Sequence, residues 1–192
     1  MLQDEKKRPE IIVFAGPNGS GKSTITKLAK IIEPYINADD IKRTNYCTDL
    51  EAAQMATAMR EKAVEKQQSF TFETVLSTSR NLELLRKAKE AGFFIRCIYV
   101  LTADVNINVA RVKSREAIGG HGVTEEKIRS RYGKALALIP QLLDVCDIMH
   151  IYDNSEVPFR IFKKRKDQFF YWENEYWSKE QIKSLTGCDN ID

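Results

Sequence analysis

Residues 11–24 read IIVFAGPNGSGKST, and this stretch decides the fold. Residues 16–23 match the pattern GxxxxGK[ST] at every fixed position. The short apolar run before the pattern predicts a buried parallel strand, and the residues after Lys22 carry apolar side chains at helical spacing. A strand, a glycine-rich loop and a helix in this order predict a loop that binds the phosphates of a nucleotide.

The chemistry of such a loop assigns a role to each of its residues. Glycines allow backbone N–H groups to turn toward an anion, and the helix that follows directs its positive end at the same group. Lys22 is expected to reach the β- and γ-phosphates of ATP, and Ser23 is expected to hold Mg²⁺. The residues predicted to contact the nucleotide are Gly16, Pro17, Asn18, Gly19, Ser20, Gly21, Lys22, Ser23 and Thr24.

Apolar runs alternate with helical patterns along the rest of the chain. Strands are predicted at residues 11–15, 35–37, 70–72, 93–101 and 145–152. Helices are predicted at residues 22–32, 49–67, about 82–91, 105–118 and 124 to about 143. The alternation predicts an α/β protein with the three-layer fold of P-loop NTPases and a five-stranded, mostly parallel sheet.

Aromatic residues are concentrated near the C-terminus, which suggests a division of the chain into two parts. Residues 1–157 are expected to form a P-loop kinase core, including an arginine-rich helical lid at about 108–134. Residues 158–192 hold 8 of the 18 aromatic side chains and predict a C-terminal appendage packed on the core. That appendage is expected to be a strand or hairpin followed by a short helix.

Composition narrows the range of functions. Thirty Lys and Arg against 27 Asp and Glu leave a net charge of +3, which argues against a protein built mainly to coat nucleic acid. No apolar run approaches the ~20 residues that a membrane span requires, so no membrane contact is expected. The charged first ten residues do not match an export signal, and a cytoplasmic location is expected. Two histidines exclude a His-rich metal centre.

Acidic residues follow two of the predicted strands, where parallel α/β sheets bind their ligands. Asp39 is favoured as the base that takes the proton from a hydroxyl attacking the γ-phosphate, with Asp40 as the alternative. One of these two is also expected to cap the next short helix. Glu73 could bond an acceptor hydroxyl, orient Asp39 or hold a metal-bound water, and an exposed Glu at a strand end is the equally weighted alternative.

Arginines on two predicted helices indicate a closing lid. Arg111 and Arg115 lie four residues apart on one helix, and Arg129 and Arg131 lie on the next, beyond the segment GGHG at 119–122. Arg115 and Arg131 are predicted to stabilise the charge of the transferring phosphoryl group. Arg111 and Arg129 are expected at the surface or against the acceptor, and a solvated helix face is the alternative.

Two further predictions concern ligand contacts. Asn154, after the last parallel strand, is expected near the base of ATP, and an Asx turn without a ligand is the alternative. The residues predicted to contact the acceptor are Asp40, Glu73, Thr74 and Arg111. His121 is interpreted as a hinge residue with no part in the chemistry.

In chain order, the segments AGPNGSGKST, INADDI, FETVLS, RVKSREAIGGHGV with IRSRY, and YDNS resemble the zeta toxin family of P-loop kinases. The similarity is closest to its compact branch, often labelled predicted ABC-type ATPases, and it covers about residues 11–155. The resemblance implies phosphorylation of the 3′-hydroxyl of the sugar in UDP-N-acetylglucosamine and an antitoxin protein as a partner. It places the family's catalytic aspartate on Asp39, its substrate-binding acid on Glu73, and its phosphate-binding arginines on Arg115 and Arg131.

The leading hypothesis is therefore a kinase that uses ATP and Mg²⁺ and transfers phosphate to a small hydroxyl compound, in particular a sugar nucleotide. A 5′-hydroxyl polynucleotide kinase is one alternative, because NADDIK also resembles the acidic turn of that family. The other alternative is a nucleotide-dependent switch that uses the aromatic tail as its docking surface. A transporter ATPase is rejected, because AIGGH at 117–121 matches the LSGGQ signature poorly.

Overall fold

A twisted sheet of seven strands forms the centre of the computed structural model, which describes residues 8–119 and 122–189. The strand order is β2-β3-β1-β4-β5-β6-β7, and the first five strands of this order run parallel. β1 therefore lies between β3 and β4, and the loop that follows it opens at the carboxyl edge of the sheet. The strands are β1 (Glu10–Ala15), β2 (Tyr35–Ile36), β3 (Phe70–Thr74), β4 (Phe94–Leu101), β5 (Ile148–Asp153), β6 (Phe159–Arg165) and β7 (Gln168–Tyr171).

Helices connect the parallel strands, as right-handed crossovers require. Within the described residues they are α1 (Lys22–Leu28), α2 (Ala38–Asn45), α3 (Asp49–Glu65), α4 (Arg80–Glu90), α5 (Val105–Ala117), α6 (Glu125–Ala137), α7 (Ile139–Val145) and α8 (Lys179–Thr186). The α/β class and the P-loop arrangement predicted from the sequence are confirmed.

The predicted count of five strands is wrong, because it includes only the parallel ones. β6 and β7 form an antiparallel hairpin that extends the same sheet beyond β5. Lys166 adopts a positive φ of 54° in the turn between them. The sequence predicts either a strand or a hairpin in the aromatic tail. It does not separate the two, because Lys and Arg are interspersed among the apolar residues and obscure the alternation of apolar and polar residues that is typical of strands.

Two of the predicted helices differ from the structure for identifiable reasons. α1 ends at Leu28 rather than near residue 32, because the chain turns toward β3, where the Ile32 amide donates to Thr71 Oγ1 at 2.8 Å. The helix predicted to run from 124 to about 143 is two helices that meet at Leu138. Pro140 lies in the first turn of α7, a position that tolerates its missing N–H.

The core lies mainly on the sheet face that α3, α4, α7 and α8 cover. The C-terminal aromatics divide between core and surface. Phe162, Trp177 and Ile182 are buried in the main cluster, whereas Trp172 is 37% exposed. Trp177 is 8% exposed and belongs to the main core cluster. None of the helices described in residues 8–119 and 122–189 is long and apolar enough to span a bilayer.

Candidate active site

A cleft of about 780 Å³ opens at the carboxyl ends of β1, β2 and β3. The phosphate loop and the start of α1 form one part of its wall, and the residues after β2 and β3 form another. One face of α3 and the facing sides of α5 and α6 complete it. Of the residues predicted from the sequence, those that line the cleft are Asn18, Gly19, Gly21, Lys22, Ser23, Thr24, Asp39, Glu73, Thr74, Arg111, Arg115 and Arg131.

The loop after β1 requires glycine at positions where it meets neighbouring backbone. At Gly16, with φ of 141°, a Cβ atom would lie 1.9 Å from the carbonyl oxygen of Val100. At Gly19, with φ of 77°, a Cβ atom would lie 2.5 Å from the carbonyl oxygen of Asn108. Both positions combine left-handed backbone with contact against backbone, so the loop can pack this closely only with glycine.

Two asparagines fix the phosphate loop against the rest of the fold. The Asn108 side-chain amide, on α5, donates to the Asn18 carbonyl at 2.6 Å. The Asn154 amide, after β5, donates to the Ser20 carbonyl at 2.8 Å. Asn108 is buried and was missed by sequence reasoning, because a lone Asn inside a helix carries no motif. The contact of Asn154 with the base of ATP stays a prediction.

Lys22 is buried at the centre of the charged groups of the cleft. Its ammonium donates to the Pro17 carbonyl at 2.9 Å. The pKa of Lys22 is lowered to about 8, mainly by burial. The charges of Glu73 and Asp39 oppose this shift, and the Arg115 charge acts in the same direction as burial. The fold therefore brings these predicted site residues within electrostatic reach of the lysine.

Glu73 is tied to the residue predicted to hold magnesium. Ser23 Oγ donates to Glu73 Oε1 at 3.0 Å, and the Tyr35 hydroxyl donates to Oε2 at 2.9 Å. Asn37 Nδ2 donates to the Tyr35 hydroxyl oxygen at 3.0 Å. Burial and the Glu73 charge raise the pKa of Tyr35, which keeps it a neutral donor. Glu73 is thus a hydrogen-bonded member of the site, and Tyr35 is a partner that the sequence did not reveal.

The two aspartates after β2 have different surroundings. The helix N-cap predicted for one of them is wrong, because Asn37 caps α2 and accepts from the Asp39 amide at 2.9 Å. Asn37 is the better cap because its extended backbone precedes the first helical turn. Asp40 pairs with Arg43 on the same helix, whereas the exposed Asp39 lines the main cleft.

The arginines of α5 and α6 have two kinds of surroundings: some line the cleft, and some form hydrogen bonds to neighbouring elements. Arg115 and Arg131 line the cleft. Arg111 also lines it, but its two Nη atoms donate to the Asn154 and Ser155 carbonyls at 2.8 and 2.9 Å, which ties α5 to the end of β5. Arg129 bonds Glu125 and Asn106. The hinge residues predicted at 120 and 121 lie outside the described residues.

The donor set fits a magnesium ion of the P-loop kind. In the part of the chain that the structure describes, no group of three or more His, Cys, Asp or Glu could hold a metal ion by itself. Mg²⁺ in nucleotide sites rarely needs such a cage, because it keeps waters and takes phosphate oxygens as ligands. Ser23 lines the cleft beside the Glu73 carboxylate, and its hydroxyl is the protein oxygen that would hold such an ion.

Sequence reasoning also missed a basic part of the cleft wall. Arg60 on α3 and Arg80 at the start of α4 both line the cleft. The available signal was weak: Ala52, Ala56 and Arg60 recur every four residues, which places the arginine on the small-residue face of its helix.

Strand order, phosphate loop and cleft together define a P-loop protein with a kinase-like fold. The sequence matches the zeta toxin family over residues 32–157, more than half of the chain, and the protein belongs to that family. The matched range begins after Ser23, so the phosphate loop is identified by its own pattern and packing.

Other proteins resemble this chain in part of its sequence or in its fold. A protein of Haemophilus influenzae, described as an uncharacterized protein, is 31% identical over 127 residues, which make up 63% of this chain and 91% of that protein. A structure from the PezAT chromosomal toxin-antitoxin system of Streptococcus pneumoniae has 15% identity and a TM-score of 0.61, and the alignment covers 94% of this chain and 79% of the other. A structure of AvrRxo1-ORF1:-ORF2 with ATP has 12% identity and a TM-score of 0.67, and the alignment covers 93% of this chain and 64% of the other. At these identities the two structures establish the shared fold.

Proposed function

We propose that the protein is an ATP-dependent phosphotransferase that moves the γ-phosphoryl group to a hydroxyl of a small acceptor. Membership of the zeta toxin family and the P-loop fold support a nucleotide-dependent kinase. The observation that carries the proposal is the meeting of Lys22, Ser23, Asp39, Arg115 and Arg131 on one cleft. These are the parts that in-line phosphoryl transfer requires: a phosphate cradle, a base and cationic stabilisers.

In this mechanism the phosphate loop and Lys22 hold the triphosphate of ATP in line with the acceptor hydroxyl. Asp39 accepts the hydroxyl proton as the new O–P bond forms, and the bond from the γ-phosphorus to the bridging oxygen breaks to release ADP. Arg115 and Arg131 stabilise the negative charge on the transferring group. Mg²⁺ held at Ser23 would neutralise charge on the β- and γ-phosphates.

The structure favours Asp39 over Asp40 as the base. Asp40 forms an ion pair with Arg43. Asp39 is exposed to the cleft, and its negative charge raises the pKa of Lys22. The assignment of Asp39 therefore rests on its position at the cleft, where an acceptor hydroxyl can reach it.

We propose a sugar nucleotide such as UDP-N-acetylglucosamine as the acceptor and an antitoxin protein as a partner, with activity in the cytoplasm where ATP is available. Family membership supports the acceptor, and the fold shared with a structure from the PezAT toxin-antitoxin system supports the partner. The acceptor would contact Glu73 and Thr74 at the end of β3, where both line the cleft.

The test is transfer of labelled γ-phosphate from ATP with Mg²⁺ to a panel of UDP-sugars, simple sugars, nucleosides and 5′-hydroxyl oligonucleotides. Lys22→Ala serves as the inactive control, because it removes the phosphate-binding ammonium. We expect label on a UDP-sugar with the wild-type protein. Label on the oligonucleotide alone would replace the proposal with a polynucleotide kinase, and ATP hydrolysis without any transfer would favour the switch.

A further inference from the structure

Arg60 is a buried cation on the wall of the cleft. Its side chain is 6% exposed, although it lines the same cleft as Asp39 and Glu73. α3, all of whose residues the structure describes, buries only three others, Ala52, Ala56 and Ala63. The helix thus presents a face of small residues to the interior and places one long charged side chain among them.

The hydrogen bonds that the structure gives Arg60 include no carboxylate. Nη2 donates to Thr57 Oγ1 at 3.1 Å, and the guanidinium carbon lies 5.1 Å from the centre of the Phe72 ring. Nε is buried with no hydrogen-bond partner among the described residues. Burial is the main cause that lowers the pKa of Arg60 to about 10. The charge of the neighbouring Glu61 opposes this shift, and the charge of Arg80 adds to it.

A buried guanidinium without a hydrogen-bonded carboxylate is costly, because its charge loses contact with water. An apolar side chain of similar length would pack here at lower free energy. A ligand anion removes this cost when it binds. The planar fork of arginine fits phosphate oxygens in pairs, and Arg80, exposed on the same cleft, supplies a second positive charge.

The position of Arg60 separates it from the anchors of the nucleotide loop. The loop is fixed by Asn108 and Asn154, on the side of β4 and β5. Arg60 stacks on Phe72 of β3, on the other side of β1 in the sheet. This separation favours a second molecule in the cleft, rather than ATP, as the source of an anion at Arg60.

We propose that Arg60, assisted by Arg80, binds a phosphate or diphosphate group of the phosphoryl acceptor. This inference rests on the proposed kinase function and adds the side chains of this chain that would hold the phosphate of its acceptor.

The test measures binding without turnover. The full chain is saturated with Mg²⁺ and a non-hydrolysable ATP analogue, which occupies the phosphate loop. It is then titrated calorimetrically with UDP, N-acetylglucosamine 1-phosphate and N-acetylglucosamine. We expect either or both phosphate esters to bind and the neutral sugar to bind at least tenfold more weakly. A preference for UDP would identify a nucleotide diphosphate, and a preference for the sugar phosphate would identify a simple phosphate ester.

Three arginine variants separate this role from a structural one. Arg60→Met should weaken binding of the phosphate ester by tenfold or more, with unchanged affinity for the ATP analogue and a melting temperature no lower than wild type. Arg60→Lys should give an intermediate loss. Arg86→Gln, on the outer face of α4, is the matched control and should bind as wild type.

The outcomes distinguish this proposal from the kinase function on which it rests. Equal binding of the esters by Arg60→Met and wild type, or no ester binding by the saturated wild type, would overturn the anion site. A lower melting temperature with unchanged ester binding would assign Arg60 to structure alone and also overturn it. Arg60-dependent binding in a protein that transfers no phosphate would retain the anion site and refute the kinase.

Discussion

At the scale of single residues, burial determines the pH range in which the Lys22 side chain is charged. Its ammonium is enclosed by the fold, and the nearby carboxylates of Glu73 and Asp39 only partly offset the loss of water. The result is a lysine that loses its proton near pH 8 instead of pH 10.5. A lysine in this state is sensitive to the arrival of a phosphate, because the new negative charge favours the protonated form.

Lys22 predicts a pH dependence of nucleotide binding. Because its ammonium is charged below pH 8 and neutral above it, the affinity for an ATP analogue should be flat from pH 7 to 8. Above pH 8 the affinity should fall by up to about tenfold per pH unit, until the pKa of the complex is reached. Tyr35 stays neutral in this range, since its pKa is raised.

Calorimetric titration between pH 7 and 10 measures this dependence. Lys22→Arg is the control, because arginine keeps its charge throughout the range and should give a flat profile. A wild-type profile that is also flat to pH 10 would mean that the lysine does not titrate where its burial predicts.

At the scale of elements, α6 carries two arginines with different surroundings. Arg131 lines the cleft, whereas Arg129 bonds Glu125 one turn earlier and Asn106 on α5. Lys113 of α5 donates to the same Glu125 at 2.7 Å, so this acid links the two helices. The helix pair therefore places Arg131 on the cleft, whereas Arg129 contributes to the contacts between the two helices.

This difference predicts different effects on catalysis. Arg131→Gln should lower kcat by roughly 100-fold or more, because it removes a donor aimed at the developing charge. Arg129→Gln should change kcat less than about threefold, and it should cost at most ~1 kcal/mol of unfolding free energy, since its ion pair is exposed. Steady-state kinetics on both variants check this, and equal losses of kcat would contradict the assignment.

At the scale of the whole molecule, the C-terminal segment is part of the folding unit. β6 extends the sheet beyond β5, and the aromatic side chains of the tail divide between a buried set and an exposed set. Trp177 and Ile182 pack into the main core as the hydrophobic staple pattern of α8 predicts. The capping box of Ser178 and Gln181 is formed as predicted.

The two tryptophans predict different contributions to stability. Trp177→Ala should lower the unfolding free energy by about 3–5 kcal/mol, because it leaves a cavity in the core. Trp172→Ala should cost only about 1 kcal/mol, since it loses mainly a contact with Arg160 at 4.4 Å. Urea denaturation measures both values. A small loss for Trp177→Ala would show that the tail folds independently of the core.

The sequence predicted the features that depend on local patterns. The phosphate loop, the parallel strands and the acidic turn after β2 each have a short signature of residue type and spacing. It did not predict Asn108, Tyr35 or Arg60, because their roles arise only when distant segments meet. The extra strands were obscured by cations among their apolar residues, and the break at Leu138 depended on the placement of Pro140.

The most direct test of the central claim compares the two aspartates after β2 in single-turnover transfer of labelled γ-phosphate to the acceptor identified by the panel. Asp39→Asn should abolish transfer and leave the affinity for the ATP analogue within about threefold of wild type. Asp40→Asn, its neighbour on the same helix, should retain most of the transfer rate. Transfer by Asp39→Asn at the wild-type rate would contradict the assignment of Asp39 as the base.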